Sequence, residues 1–196
     1  MYKSLFSFLF ILGFGMTAIA GVPGGEVLKI DPASSNVTWI GKKVTGQHQG
    51  TIAVKEGTLE IKKGMLTGGS AVIDMTTIKV TDLQGEYAGK LEGHLKSDDF
   101  FGVGTYPLAT LIILDAKSMG TNVYDVKANL TIRGTTQEIQ FPVTVKPEGK
   151  KYKAEANITI DRSKFNVKYG SGAFYEDLGD KTIYDNFELK VSLVTQ

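Results

Sequence analysis

The chain has 196 residues, no cysteine, two histidines and a formal net charge of +1. Without a thiol it has no disulfide framework, no cysteine-ligated zinc and no thiol nucleophile, so packing and backbone pairing must hold the fold. Its 22 basic and 21 acidic residues are scattered without a long single-sign run, which gives no electrostatic reason to seek nucleic acid or an anionic membrane surface.

Residues 1–20 read as a secretory signal peptide. Lys3 is the only charge, an apolar run from Leu5 to Leu12 follows, and the segment closes on Ala18-Ile19-Ala20, the small-x-small pattern that signal peptidase accepts. The run is short for a membrane span and is interrupted by Gly13 and Gly15. Cleavage after Ala20 leaves one domain, Gly21 to Gln196, with balanced charges. No second apolar segment is long enough to cross a bilayer, so no stable membrane insertion is expected after cleavage.

In the first half, Val37 and Trp39 share a face. Leu59 and Ile61 lie between Gly57 and Gly64, and a turn is predicted at Gly68-Gly69 before Ala71 to Met75. Leu83, Tyr87, Leu91 and Leu95 are then spaced by four, which is helical, while Gly85, Gly89 and Gly93 share another face. Each interior glycine costs a helix about 1 kcal/mol relative to alanine. The spacing therefore predicts a weak helix held by packing, or a place where backbones approach closely, with a short turn near Ser97 to Phe101. Leu108 to Leu114 is apolar at nearly every position, which predicts a strand covered on both faces.

The second half alternates strictly. Tyr124, Val126, Ala128, Leu130 and Ile132 form one set, against Asp125, Lys127, Asn129 and Thr131. Ile139, Phe141, Val143 and Val145 form the next dry stripe, and Pro147-Glu148-Gly149-Lys150 supplies a turn. Tyr152, Ala154, Ala156, Ile158 and Ile160 follow, then Phe187, Leu189, Val191 and Leu193. Period two means strands with one dry and one wet face, arranged as an antiparallel meander. Roughly eight to ten strands and one helical insertion fit either a sandwich or an up-and-down barrel. Ala128, Ala154 and Ala156 sit on dry faces. Either they face large aromatic residues, or they leave space that a ligand fills.

Four segments carry a family resemblance. They are Gly46-Gln47-His48-Gln49-Gly50; His94 to Phe101 with Tyr106-Pro107; Leu130 to Thr136; and Ile160 to Phe165. In this order and spacing they resemble the YceI-like family of bacterial exported proteins. The resemblance implies an all-β fold, an eight-stranded antiparallel lipocalin-like barrel with one short helical insertion. It also implies binding of polyisoprenoid-type or other long-chain lipids inside the barrel, and a periplasmic location. The stretch Tyr169 to Asp180 is more particular to a subset of relatives, and no role is assigned to it.

Trp39, Phe100, Phe101, Leu130, Phe141, Ile158, Arg162, Phe165, Phe174 and Phe187 are the candidate ligand wall. Arg133 and Arg162 are the only arginines. Parity points Arg162 inward, where it could grip a ligand's head or bond loop carbonyls; Arg133 points outward and reads as structural. Asp161 reads as a turn residue. Asp98 and Asp99 are neighbours that rarely converge on one point, and capping of a helix suits one of them better than acid–base work. His48 and His94 lack an obvious third metal ligand. Neither a G-x-S-x-G elbow, an H-E-x-x-H motif nor a phosphate loop is present. No metal, cofactor or catalytic group is therefore expected.

The leading expectation is a carrier or storage protein for a long-chain lipophile, a polyisoprenoid, a quinone-like molecule or a fatty-acid derivative. The alternatives are an envelope interaction module with a filled core, and an enzyme acting on a bound lipid through His94, Asp98, Asp99 or Arg162. A homodimer is compatible with each.

Overall fold

The computed structural model describes residues 25–196; the predicted signal peptide lies outside them. The elements are β1 (Glu26–Lys29), β2 (Asn36–Lys43), β3 (Gly46–Lys62), β4 (Met65–Val80), α1 (Gly85–Lys96), β5 (Leu108–Gly120), β6 (Val123–Ile132), β7 (Thr135–Glu148), β8 (Lys151–Asp161) and β9 (Ile183–Val194). From β2 to β9 every strand pairs antiparallel with its neighbours in the chain, and β2 also pairs with β9. The sheet thus closes into an eight-stranded barrel, which leaves no long free edge.

β1 and β2 act as one interrupted stave. β2 pairs with the first half of β3, from Val37 opposite Ile52 to Lys43 opposite Gly46. β1 pairs with the second half, from Glu26 opposite Ile61 to Lys29 opposite Thr58. A 3₁₀ turn at Pro32–Ser34 separates them, and the Asp31 side chain accepts from the Ala33 N–H at 3.1 Å.

The dry stripes of the second half face inward as parity predicts. Tyr124, Val126, Ala128, Leu130 and Ile132 are all buried, as are Phe141, Val143, Val145, Ala154, Ile158 and Ile160. In the first half, three register shifts between β3 and β4 disturb the alternation. Gly68 and Gly69 are not a turn: they lie within β4, and Lys63-Gly64 makes the hairpin. A Cβ on Gly69 would come within 2.5 Å of the Thr58 carbonyl oxygen, so close approach of β3 accounts for glycine there.

The helix forms over Gly85–Lys96, between β4 and β5. Its glycines mark no close approach, because a Cβ on Gly89 or Gly93 would meet nothing within 4 Å. Leu95 packs against the core, whereas Tyr87 is 74% exposed. Packing on one side holds the helix: the Glu92 carboxylate accepts from the Val80 N–H at 2.9 Å. Asp98 and Asp99 follow the helix and do not cap its start, where Gln84 makes no side-chain capping bond. Nor is β5 covered outside. Ile112 and Leu114 are 54% and 50% exposed, so its outer apolar stripe faces solvent.

Candidate functional site

The barrel is hollow. A cavity of about 220 Å³ runs inside it, lined by inward side chains of strands β2 to β9 and by Leu95 of α1. Its wall is almost wholly apolar. Ala154 and Ala156 are part of the lining, so two of the three dry-face alanines border open space. Ala128 is fully buried and stands outside the lining.

Of the ten candidate wall residues, eight line the cavity: Trp39, Phe100, Phe101, Leu130, Phe141, Ile158, Arg162 and Phe187. Phe165 and Phe174 do not. Phe165 is buried in the 3₁₀ turn after β8. Phe174 is 42% exposed, and its ring packs against the Lys168 ammonium at 5.1 Å. That phenylalanine sits in an irregular loop, where no alternation indicates direction.

The remainder of the β9 stripe, Leu189, Val191 and Leu193, completes the wall. Its period-two pattern carried that information. Ile183 and Tyr184 also line the cavity, but they enter at the ragged start of β9, before the alternation settles.

The helix-side end is closed by aromatic packing and by Arg162. Phe100 meets Phe101 edge-on at 4.9 Å between centroids, and Phe101 meets Phe187 at 6.4 Å. Arg162 is 2% exposed. Its Nη1 donates to the Val167 carbonyl at 2.9 Å, Nη2 to Ile183 at 2.9 Å and Nε to Tyr184 at 3.2 Å. Asp185 lies 3.4 Å from Nη2. Burial pushes the guanidinium's pKa down, against the pull of Asp185 and Asp161. The guanidinium is therefore committed to loop carbonyls, which removes it as a free grip for an anionic head.

The other polar candidates have structural surroundings. Asp161 caps the turn after β8, accepting from the Ser163 N–H at 3.0 Å and its hydroxyl at 2.6 Å. Arg133 donates to the Asn166 carbonyl at 2.6 Å and to the Asp98 carbonyl at 2.7 Å, tying together the two segments that cover this end. His48 Nδ1 lies 3.0 Å from Asp82. His94 packs edge-on against Phe100 and Tyr169. Among the described residues, no group of three or more His, Asp or Glu side chains is placed to hold a metal. Three buried side-chain polar atoms among the described residues lack a hydrogen-bond partner: Trp39 Nε1, His94 Nε2 and Asp185 Oδ1.

Comparison with known proteins matches this architecture. The model of the YceI-like domain covers residues 28–195. A UPF0312 protein of Pseudomonas putida strain W619 is 30% identical over 132 residues, which are 62% of this chain and 68% of the relative. Among solved structures, Burkholderia cenocepacia BcnA superposes with a TM-score of 0.70 at 24% identity, covering 85% of this chain and 99% of its own. A polyisoprenoid binding domain from Saccharophagus degradans superposes with a TM-score of 0.63 at 14% identity, covering 88% and 98%. These likenesses share the closed barrel, and the family match spans nearly all of the described residues: the chain belongs to the YceI-like family.

Proposed function

We propose that this protein binds a long-chain lipophile, of polyisoprenoid or similar character, inside the barrel and serves as its carrier or store. The observation that carries the reading is the apolar cavity of about 220 Å³. An apolar cavity of about 150 Å³ holds one benzene ring, so this one has room for on the order of eight to ten carbon atoms, a segment of a long hydrocarbon chain. An empty apolar cavity of this size is destabilising, and a guest relieves that cost. Burying several hundred Å² of chain at about 25 cal/mol per Å² yields on the order of 10 kcal/mol before the chain's ordering is subtracted.

The polyisoprenoid binding attributed to the Saccharophagus degradans domain supports the ligand class. The Lys3-to-Ala20 pattern supports export to the periplasm. The interaction module with a filled core loses its premise, because the middle of the barrel is open.

The test is organic extraction of freshly purified, non-denatured protein followed by mass spectrometry. A lipophile recovered in near-stoichiometric amount is the expected result. An empty protein that also takes up no added long-chain lipid would end the proposal.

A further inference from the structure

Six aromatic side chains stand out at the surface, Tyr87, Tyr106, Tyr169, Phe174, Tyr175 and Tyr184, each between 38% and 74% exposed. All six sit at the helix-side end: in α1, in the segment before β5, in the loop between β8 and β9, or at the start of β9. Among the described residues, no aromatic of comparable exposure lies at the other end, where the exposed apolar side chains are Val27, Met65, Met119 and Val123. Single apolar residues scattered over a surface need no cause. Segregation of one side-chain type to one end does.

Contacts and helix periodicity join five of the six into one surface. Tyr169 packs edge-on against His94 of α1 at 4.4 Å, and Tyr87 lies two turns before His94 on the same helix face. The Ile183 N–H donates to the Gly170 carbonyl at 2.8 Å, which brings the backbone beside Tyr169 against that beside Tyr184. Phe174 and Tyr175 follow in a turn, where both of their N–H groups donate to the Ser171 carbonyl at 3.1 Å. This surface is continuous with the cavity wall. His94 meets Phe100 edge-on at 5.7 Å, and Phe100 lines the cavity. An aromatic column of Tyr169, His94 and Phe100 thus runs from solvent to the interior.

Side-chain type and charge point to the occupant. Tyrosine joins an apolar ring to a polar hydroxyl, the combination that collects where hydrocarbon meets headgroups. Lys168 lies over the Phe174 ring at 5.1 Å, an ammonium held beside apolar surface as at a headgroup layer. Between Ser163 and Thr182, Lys164, Lys168 and Lys181 are balanced by Glu176, Asp177 and Asp180. A balanced loop suits zwitterionic headgroups and is not drawn to an anionic surface. A lipophile has its reservoir in the bilayer, and the aromatic column leads from this face to the cavity.

We propose that the helix-side end of the barrel docks reversibly on the interfacial layer of a phospholipid bilayer through Tyr169, Phe174, Tyr175 and Tyr184. The docking goes beyond the lipid-binding reading; only its purpose, exchange of the guest with the bilayer, rests on that reading. The protein lies on the membrane and does not span it.

Cosedimentation of the mature protein with phosphatidylcholine vesicles tests this, beside vesicles that also contain phosphatidylglycerol. Binding to both is expected, changing less than about twofold between low and high salt. Phe174→Ser with Tyr175→Ser should weaken it about tenfold or more. Ile112→Ser with Leu114→Ser, which takes exposed apolar surface from the barrel's side, should change it less than about twofold. No binding to phosphatidylcholine would overturn the inference, as would binding that needs phosphatidylglycerol and fades with salt, or equal losses in the two double variants. The vesicle and salt series are read on the wild type, so they decide the matter even if a variant folds poorly. Organic extraction reads the cavity separately. Protein that carries a lipophile yet does not sediment removes the docking alone; protein that sediments yet extracts empty and takes up no added lipid removes the carrier reading and leaves the docking.

Discussion

The Arg162 guanidinium lies over the ring of Phe100, 5.3 Å from its centroid, and the two close the helix-side end of the barrel. The cation is held from the other direction by the carbonyls of Val167, Ile183 and Tyr184. It therefore joins the end of β8 to the start of β9 through a loop that has little other regular structure. Arg162→Met would leave those carbonyls and Asp185 without their donor. The expected loss is about 3 kcal/mol, read as a lower urea midpoint at unchanged slope. Arg162→Lys keeps the charge but not the planar fork, and should recover only part of it. A midpoint unmoved by the methionine would show that the loop holds itself.

Gly50 is the second point of close fit. A Cβ there would strike the Lys79 carbonyl oxygen as well as the Trp39 ring. One obstacle is backbone, so a rotamer change cannot relieve it. Gly50→Ala is expected to destabilise by about 2–3 kcal/mol and to displace Trp39. The single tryptophan makes its emission spectrum the direct measure, and an unchanged spectrum with unchanged stability would refute the fit.

How far this could be read from the residues depended on the barrel's wet exterior. β6, β7 and β8 each have one face in water, so alternation marked their inner residues correctly from Tyr124 to Ile160. β3 and β4 are harder to read, because their register shifts break period two, and Gly68-Gly69 reads as a turn because a glycine pair is itself a turn signal. Arg162 could be placed inward by parity, but its partners Ile183 and Tyr184 lie 21 and 22 residues further on, beyond any local pattern. Ile112 and Leu114 misled, because an apolar residue on an outer face does not say whether anything covers it. The cavity was only an inference from small residues. Open space is the difference between a wall's circumference and its contents, and no single strand records it.

Asp82 carries a pH dependence. Burial pushes its carboxyl up, but hydrogen bonds from His48 and from the Gln49 N–H outweigh that and hold it below its ordinary value of 3.8. A folded-state value below the unfolded one gives stability that is complete above the unfolded value and lost as pH falls through the folded one. Wild type and Asp82→Asn should therefore differ most near neutrality and converge as pH falls below the ordinary value of 3.8 and on through the lower folded-state one. The measurement is the urea midpoint of each as a function of pH. A constant gap down to the acid limit would mean that the charge of Asp82 contributes nothing.

Ala156 and Ala128 separate the cavity from the packed core. Both face inward on well-formed strands, yet Ala156 lines open space while Ala128 is fully buried outside the lining, between Ile113 of β5 and Ile139 of β7 in the register. A phenyl ring added at Ala156 has somewhere to go. Ala156→Phe should leave stability within about 1 kcal/mol, since filling a void offsets the strain of a larger side chain. The lipid recovered on extraction should fall sharply, because the ring occupies the guest's path. At Ala128 the same ring meets side chains already in contact, and the expected cost is about 3 kcal/mol. The pair of variants thus distinguishes an accessible interior from a tightly filled one: equal destabilisation at both positions, with lipid content unchanged by Ala156→Phe, would place the guest somewhere other than beside β8.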